Sequence, residues 1–230
     1  MSDDTLSPAQ LARYVDHTLL KPEATRADIE RLCAEAREHK FAAVCVNGSR
    51  VELAAHLLEE SDVKVAAVVG FPLGAMDADA KRYEAEAAID QGAQEVDMVM
   101  NIGRYKDGDF KYVVRDIRDV VAAAEGRIVK VILETCLLTN DEIVSACKLA
   151  LEAEAHFVKT STGFSKAGAI IEHVRLMRDT VGFNCGVKAS GGIRDTPSAI
   201  AMIRAGASRL GTSNGVAIVK GAAEGGTAGY

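Results

Sequence analysis

The chain has 230 residues, 48% of them hydrophobic and 26% charged, with no Trp and a net charge of −6. At roughly 150 residues per domain, and with barrels often exceeding that figure as single units, it reads as one large domain with a core built from Ala, Val, Ile and Leu. This composition excludes disorder, collagen-like repeats and small disulfide scaffolds, and the acidic balance argues against nucleic acid as the main partner.

The opening MSDDTLSPAQ is acidic and polar where a signal peptide needs a basic end and an apolar run. No stretch approaches the roughly 18 uninterrupted apolar residues of a membrane span. The five cysteines (Cys33, Cys45, Cys136, Cys147, Cys185) form no C-x-x-C pair and leave one over, which favours a reducing compartment. The expectation is a soluble cytoplasmic protein with no membrane partner.

Taken in order, YVDHTLL from Tyr14 is the first short apolar run rich in β-branched residues. The capping-box signature Thr25-Arg-Ala-Asp28 then starts a helix whose apolar stripe is Ile29, Leu32, Cys33 and Ala36. FAAVCV from Phe41, VKVAAVV from Val63 and EVDMVM from Glu95 continue the runs. A second stripe, Val113, Ile117, Val120, Val121 and Ala124, precedes RIVKVIL from Arg127. Thr139-Asn-Asp-Glu142 caps a third, Ile143, Cys147, Ala150 and Leu151. HFVKTS from His156 and NCGVKAS from Asn184 follow, then Asp195-Thr-Pro197 as a helix start and SRLGTS from Ser208 as the last run. Cys33 and Cys147 read as core filling.

Eight strand-helix repeats require a parallel sheet with right-handed crossovers, and at this length they predict a closed (β/α)8 TIM barrel of class α/β. The expected division is a barrel domain over 1–220 and a flexible tail, the Gly-rich end of the chain, over 221–230.

Barrel strands are nearly continuous apolar runs, so the charges inside them carry information. Asp97, Lys130, Lys159 and Lys188 each lie in such a run, the first two and Lys188 with apolar neighbours on both sides and Lys159 after Val158. Residues two apart share a face, which groups Lys159 with Phe157 and Ser161, and Lys188 with Gly186 and Ser190. Facing inward, these charges would converge at the C-terminal mouth, where barrel enzymes hold their chemistry. A buried lysine beside a second cation loses its proton more readily and can attack a carbonyl, with the acid as proton relay. The competing reading is a buried ion pair that sets register. Residue types alone do not choose the nucleophile between Lys159 and Lys188.

Glycine-rich loops follow the late runs: Thr160-Ser161-Thr162-Gly163, Ala189-Ser190-Gly191-Gly192 and Gly211-Thr212-Ser213-Asn214-Gly215. Backbone N–H groups and hydroxyls in such loops suit a phosphate, and barrels commonly hold one after strands seven and eight.

With VDHTLLKPEAT, AAVCVN, GFPLG, EVDMVMNIG, KVILET, FVKTSTGF, VKASGGIRD and RLGTSNG, nearly the whole chain resembles the deoxyribose-phosphate aldolase family. The resemblance implies a class I lyase of carbohydrate degradation that reversibly cleaves 2-deoxy-D-ribose 5-phosphate to acetaldehyde and D-glyceraldehyde 3-phosphate without a metal or organic cofactor. It assigns the Schiff base to Lys159, the cation that keeps it neutral to Lys188 and the proton relay to Asp97. Phosphate contacts fall to Gly163, Gly191, Gly192, Gly211 and Ser213, with Asn214 where related sequences carry Ser. A C-terminal tyrosine, here Tyr230, would carry a proton to the enamine carbon. Asp16, Cys45, Lys130 and Glu134 are expected to line the inner shell, Asp16 as a contact to a substrate hydroxyl. A homodimer is expected by likeness to the family.

His17, His39, His56, His156 and His173 show no metal-ligand spacing and read as surface or packing residues, and no G-x-G-x-x-G marks a dinucleotide site. Two alternatives stay open: a phosphate-binding barrel lyase acting on a longer ketose phosphate, and a non-catalytic barrel that binds a sugar phosphate.

Overall fold

Each β-branched run forms a strand, and each strand pairs in parallel with the next until the eighth returns to the first, closing a barrel. The computed structural model describes residues 6–221. The strands are β1 (Val15–Leu19), β2 (Ala43–Val46), β3 (Lys64–Val69), β4 (Glu95–Val99), β5 (Ile128–Ile132), β6 (Phe157–Lys159), β7 (Gly186–Ser190) and β8 (Arg209–Thr212). Around them run helices α1 (Pro8–Ala12), α2 (Arg26–His39), α3 (Val51–Leu58), α4 (Ala78–Asp90), α5 (Ile102–Lys106), α6 (Phe110–Ala123), α7 (Asn140–Glu152), α8 (Ile171–Val181), α9 (Thr196–Arg204) and α10 (Gly215–Lys220). The predicted (β/α)8 barrel is therefore present, with two additions the periodicity did not announce, the single-turn helices α1 and α5. Both are short enough to be fixed by caps alone: Ser7 and Gln10 form a capping box on α1, and Asn101 accepts from the Arg104 N–H on α5.

Local chemistry explains the helix starts. Thr25 with Asp28 and Thr139 with Glu142 form the expected reciprocal capping boxes. Asp195 caps α9 by accepting from the Ser198 N–H, with Pro197 in the first turn, where no N–H is needed. The stripe Ile29, Leu32, Cys33 and Ala36 is fully turned inward on α2, and Ile143, Cys147 and Ala150 are equally buried on α7.

Alternation along the strands divides the apolar residues into two layers. Val44 and Val46, Val65 and Ala67, Val96 and Met98, Val129 and Val131, and Val187 and Ala189 face outward into the main core beneath the helices. The intervening positions face the barrel axis. There only Leu20, Cys45, Ala66 and Val68, with Phe71 against them, form a small separate apolar cluster. Much of the remaining interior is charged: Asp16, Glu95, Asp97, Lys130, Lys159 and Lys188 are buried there.

Among the described residues no helix is long and apolar enough to cross a membrane. All five cysteines are free thiols.

Candidate active site

Strand register assembles the interior charges. Asp97 lies beside Lys130 across β4 and β5, Lys159 beside Lys188 across β6 and β7, and Lys188 beside Arg209 across β7 and β8. Asp97 is fully buried. One carboxylate oxygen accepts from Lys130 Nζ at 2.8 Å, and the other accepts from Lys159 Nζ at 2.8 Å and Lys188 Nζ at 2.7 Å. Lys188 Nζ also donates to Asp16 Oδ2 at 2.5 Å. Arg209 donates to the other oxygen of Asp16 and, at 2.8 Å, to Glu95 Oε1, while Glu95 Oε2 accepts from Lys130.

Followed around, these bonds close on themselves: Asp97, Lys188, Asp16, Arg209, Glu95, Lys130 and back to Asp97. Acids and bases alternate through the ring, so its formal charges cancel. Lys159 stands outside it, attached through Asp97. A fourth cation against three acids would be costly to keep in a sealed interior.

The electrostatics follow. Burial draws the Lys159 amine below its ordinary value, and the Lys188 charge adds to that pull against the opposing attraction of Asp97. Lys188 moves the other way: burial works against its charge, but Asp16 and Asp97 outweigh it and hold the ammonium. Lys130 is likewise held charged by Asp97 and Glu95 against burial. Burial alone would raise Asp97, yet the three lysines bring it well below the carboxylate range. Asp16, also opposed by burial, is brought down to about 2 by Lys188, Arg209 and Lys130. The two lysines that residue types left equivalent are thus physically distinct, one poised to be a neutral amine and the other a fixed cation.

The glycines lie in the segments that follow β6, β7 and β8, with one exception. Gly163, Gly191 and Gly192 have φ of +87°, +85° and +80°, left-handed backbone that favours glycine. A Cβ on Gly191 would lie 2.8 Å from Gly168 Cα, and the Ala169 N–H donates to the Ser190 and Gly191 carbonyls, so this glycine lets the segment after β6 close on β7. Gly192 is exposed, with open space where a side chain would stand. Ser213 is exposed and donates to Asn214 Oδ1 at 3.0 Å, just ahead of α10. The exception is Gly211, expected in a phosphate loop but found within β8, where a Cβ would meet Ser190 Cβ at 2.8 Å and Lys188 Cε at 3.1 Å. Its position makes room for Lys188. Tyr230 lies outside the described residues.

Of the inner-shell candidates, Asp16, Cys45 and Lys130 line the barrel interior with no exposure. Both oxygens of Asp16 are engaged by Lys188 and Arg209. Burial raises the Cys45 thiol, with Asp97 reinforcing the effect. Glu134 is buried above them at the mouth, and burial lifts its carboxyl against the hydrogen bonds from Thr162. It borders a cleft of about 110 Å3 whose other walls include Pro72, Leu73, Ile102 and Phe164. Two ring members, Glu95 and Arg209, are not marked as site residues by their apolar context in the sequence. A strict period of two would have found them, because Glu95 precedes Asp97 by two positions and Arg209 precedes Gly211 by two. Among the described residues no group of three or more His, Cys, Asp or Glu is arranged to hold a metal ion.

Comparison with known proteins gives a consistent result. A sequence model described as DeoC/LacD family aldolase matches residues 10–222. The deoxyribose-phosphate aldolase of Bdellovibrio bacteriovorus is 59% identical over 212 residues, covering 92% of this chain and 96% of that protein. The deoxyribose-phosphate aldolase of Alkaliphilus oremlandii is 57% identical over 221 residues, covering 96% and 99%. Among solved structures, the tetrameric deoxyribose phosphate aldolase from Aeropyrum pernix superimposes with a TM-score of 0.88 at 34% identity, covering 93% of this chain and 91% of that one.

Proposed function

The chain belongs to the DeoC/LacD family of aldolases and is a lyase that reversibly cleaves 2-deoxy-D-ribose 5-phosphate to acetaldehyde and D-glyceraldehyde 3-phosphate; we propose that it does so through a Schiff base on Lys159. The observation that carries this assignment is the position of Lys159 outside a charge-balanced ring, where its amine can be neutral while Lys188 stays an ammonium.

The neutral Lys159 Nζ adds to the C1 aldehyde of the open-chain sugar, and loss of water from the carbinolamine leaves a protonated imine. Removal of the C3 hydroxyl proton breaks the C2–C3 bond, and its electron pair moves into the imine to give an enamine and glyceraldehyde 3-phosphate. Protonation of the enamine carbon and hydrolysis release acetaldehyde and restore the amine. Asp97, hydrogen-bonded to Lys159 and Lys188, is the relay that moves protons to and from the reacting atoms. In this scheme Tyr230 delivers the proton to the enamine carbon.

The phosphate is held by the N–H groups and hydroxyls at Gly163, Gly191, Gly192, Ser213 and Asn214. The left-handed backbone at the three glycines and the exposure of Gly192 and Ser213 support that role. Gly211 serves the site through Lys188. Cytoplasmic residence and a homodimer belong to the same proposal, supported by the free thiols and by the oligomeric Aeropyrum pernix relative.

Borohydride reduction in the presence of the sugar phosphate, followed by peptide mapping, tests the assignment. A reduced adduct at Lys159 is expected, and its loss in Lys159→Ala. An adduct on Lys188, or none, would sink it.

A further inference from the structure

We propose that Glu134 is a positioning residue that sets the segment following Lys159 by clamping Thr162. This rests on Lys159 as the nucleophile and adds a residue to which the ring and the glycine loops give no role.

Alternation along β5 turns Lys130 inward, and the same period brings residue 134 to the inner side just past the strand end. The backbone there is left-handed, φ +54° and ψ +60°, an uncommon conformation for a residue with a side chain. On either side of it the chain stays bonded to β6 and its continuation: the Leu133 N–H donates to the Lys159 carbonyl at 2.9 Å and the Thr135 N–H to the Thr160 carbonyl at 2.9 Å. The turn at 134 therefore occurs between two bonds that anchor it to the nucleophile's own backbone.

The Glu134 side chain completes that attachment. Its two carboxyl oxygens accept from the Thr162 N–H at 3.3 and 3.4 Å, and the Thr162 hydroxyl donates to one of them as well. Thr162 Oγ1 in turn accepts from the Phe164 N–H at 3.1 Å. Phe164 meets Phe71, from the segment after β3, edge to face with centroids 5.3 Å apart. One buried carboxylate thus ties together the backbone after Lys159, the start of the first phosphate loop and the apolar wall of the mouth. It acts on Lys159 through Thr162, three residues along, and makes no hydrogen bond to the amine among the described residues.

Displacing a nucleophile by a fraction of an ångström is felt in turnover more than in binding, because substrate binding also draws on Gly191, Gly192, Ser213 and Asn214, which Glu134 does not touch. Glu134→Ala should lower kcat by roughly ten- to a hundredfold, as a misplacement near 1 Å does. KM for the sugar phosphate should rise by less than kcat falls, since of the proposed phosphate contacts only Gly163 adjoins the clamped Thr162. Glu134→Gln, whose amide oxygen still accepts from the Thr162 N–H, should recover most of the loss. Thr162→Val, which keeps that N–H bond and loses the hydroxyl, should lower kcat by less than Glu134→Ala does, and the two combined should be no slower than Glu134→Ala alone, since the residues form one unit.

Wild-type kcat in Glu134→Ala, multiplied losses in the double variant, or a loss confined to KM would each overturn the clamp. Should Glu134→Ala fail to fold, Thr162→Val decides: a lowered kcat with KM less affected is expected, and wild-type kcat or a loss confined to KM overturns the clamp. Borohydride trapping on the wild-type protein separates the two failures. An adduct away from Lys159 rejects the nucleophile, whereas an adduct at Lys159 with unaffected variants rejects Glu134 alone.

Discussion

Asp16 and Lys188, separated by 172 positions, meet at 2.5 Å in the barrel interior, and that contact helps hold the lysine charged. Asp16 has its own stability signature. Its carboxyl, fully buried, lies at about 2 in the fold against an ordinary 3.8. A carboxyl depressed in this way stabilises the fold above its unfolded value and loses that contribution as pH falls through the folded value. Between pH 4 and 2 the protein should lose about 2 kcal/mol from this group. Asp16→Asn should flatten that part of the profile and cost about 3–5 kcal/mol at neutral pH, because Lys188 and Arg209 are left short of a partner. Urea titrations across this range measure both.

Lys188→Leu removes the cation that helps to depress the Lys159 amine. The Lys159 amine then rises toward its ordinary value, so the acidic limb of kcat/KM should move to higher pH by roughly one unit or more. An unchanged limb would defeat the role given to Lys188.

Gly211→Ala tests whether this glycine makes room or binds phosphate. The new Cβ would lie 2.8 Å from Ser190 Cβ and 3.1 Å from Lys188 Cε, so Lys188 must move. Turnover should fall about tenfold or more with KM nearly constant, and thermal unfolding should show a loss of about 1–3 kcal/mol from overpacking. A raised KM at unchanged kcat would instead return Gly211 to the phosphate site.

Outside the barrel, Lys81 of α4 donates to Asp116 of α6 at 2.6 Å and to the Val99 carbonyl at 3.0 Å, with both side chains fully enclosed. Burial lowers the lysine and raises the acid, each partly opposed by the other. Lys81→Met should therefore destabilise by about 3–5 kcal/mol, and Lys81→Met with Asp116→Leu should regain most of that loss in chemical denaturation.

The barrel was legible because its strands are β-branched runs and its interior lysines interrupt them. Lys130 and Lys188 stand between apolar neighbours and Lys159 follows Val158 in an otherwise apolar strand, where a charge has no solvent to explain it. Glu95 and Arg209 begin their strands, and a charge at a strand end ordinarily reads as solvated. Lys81 sits in AKRYEAEAA, a stretch that looks like an exposed helical face until α6 covers it. Gly211 is adjacent to true loop residues, and register decides that it belongs to β8. The difference between Lys159 and Lys188 needed the identity of every charge around them, which comes from six separate strands.

Arg209 and Asp16 lie 193 positions apart and join only when β8 docks on β1. Chain synthesis therefore delivers Lys159, Asp97 and Lys188 before the arginine that neutralises their neighbours, leaving an interior rich in unmatched charge until the final strand arrives. Such long-range closure is slow compared with local helix formation. A nascent chain stopped after β7 would possess the nucleophile and its charged neighbours but lack the closed interior whose burial draws its amine down, so catalytic competence arrives together with closure of the barrel.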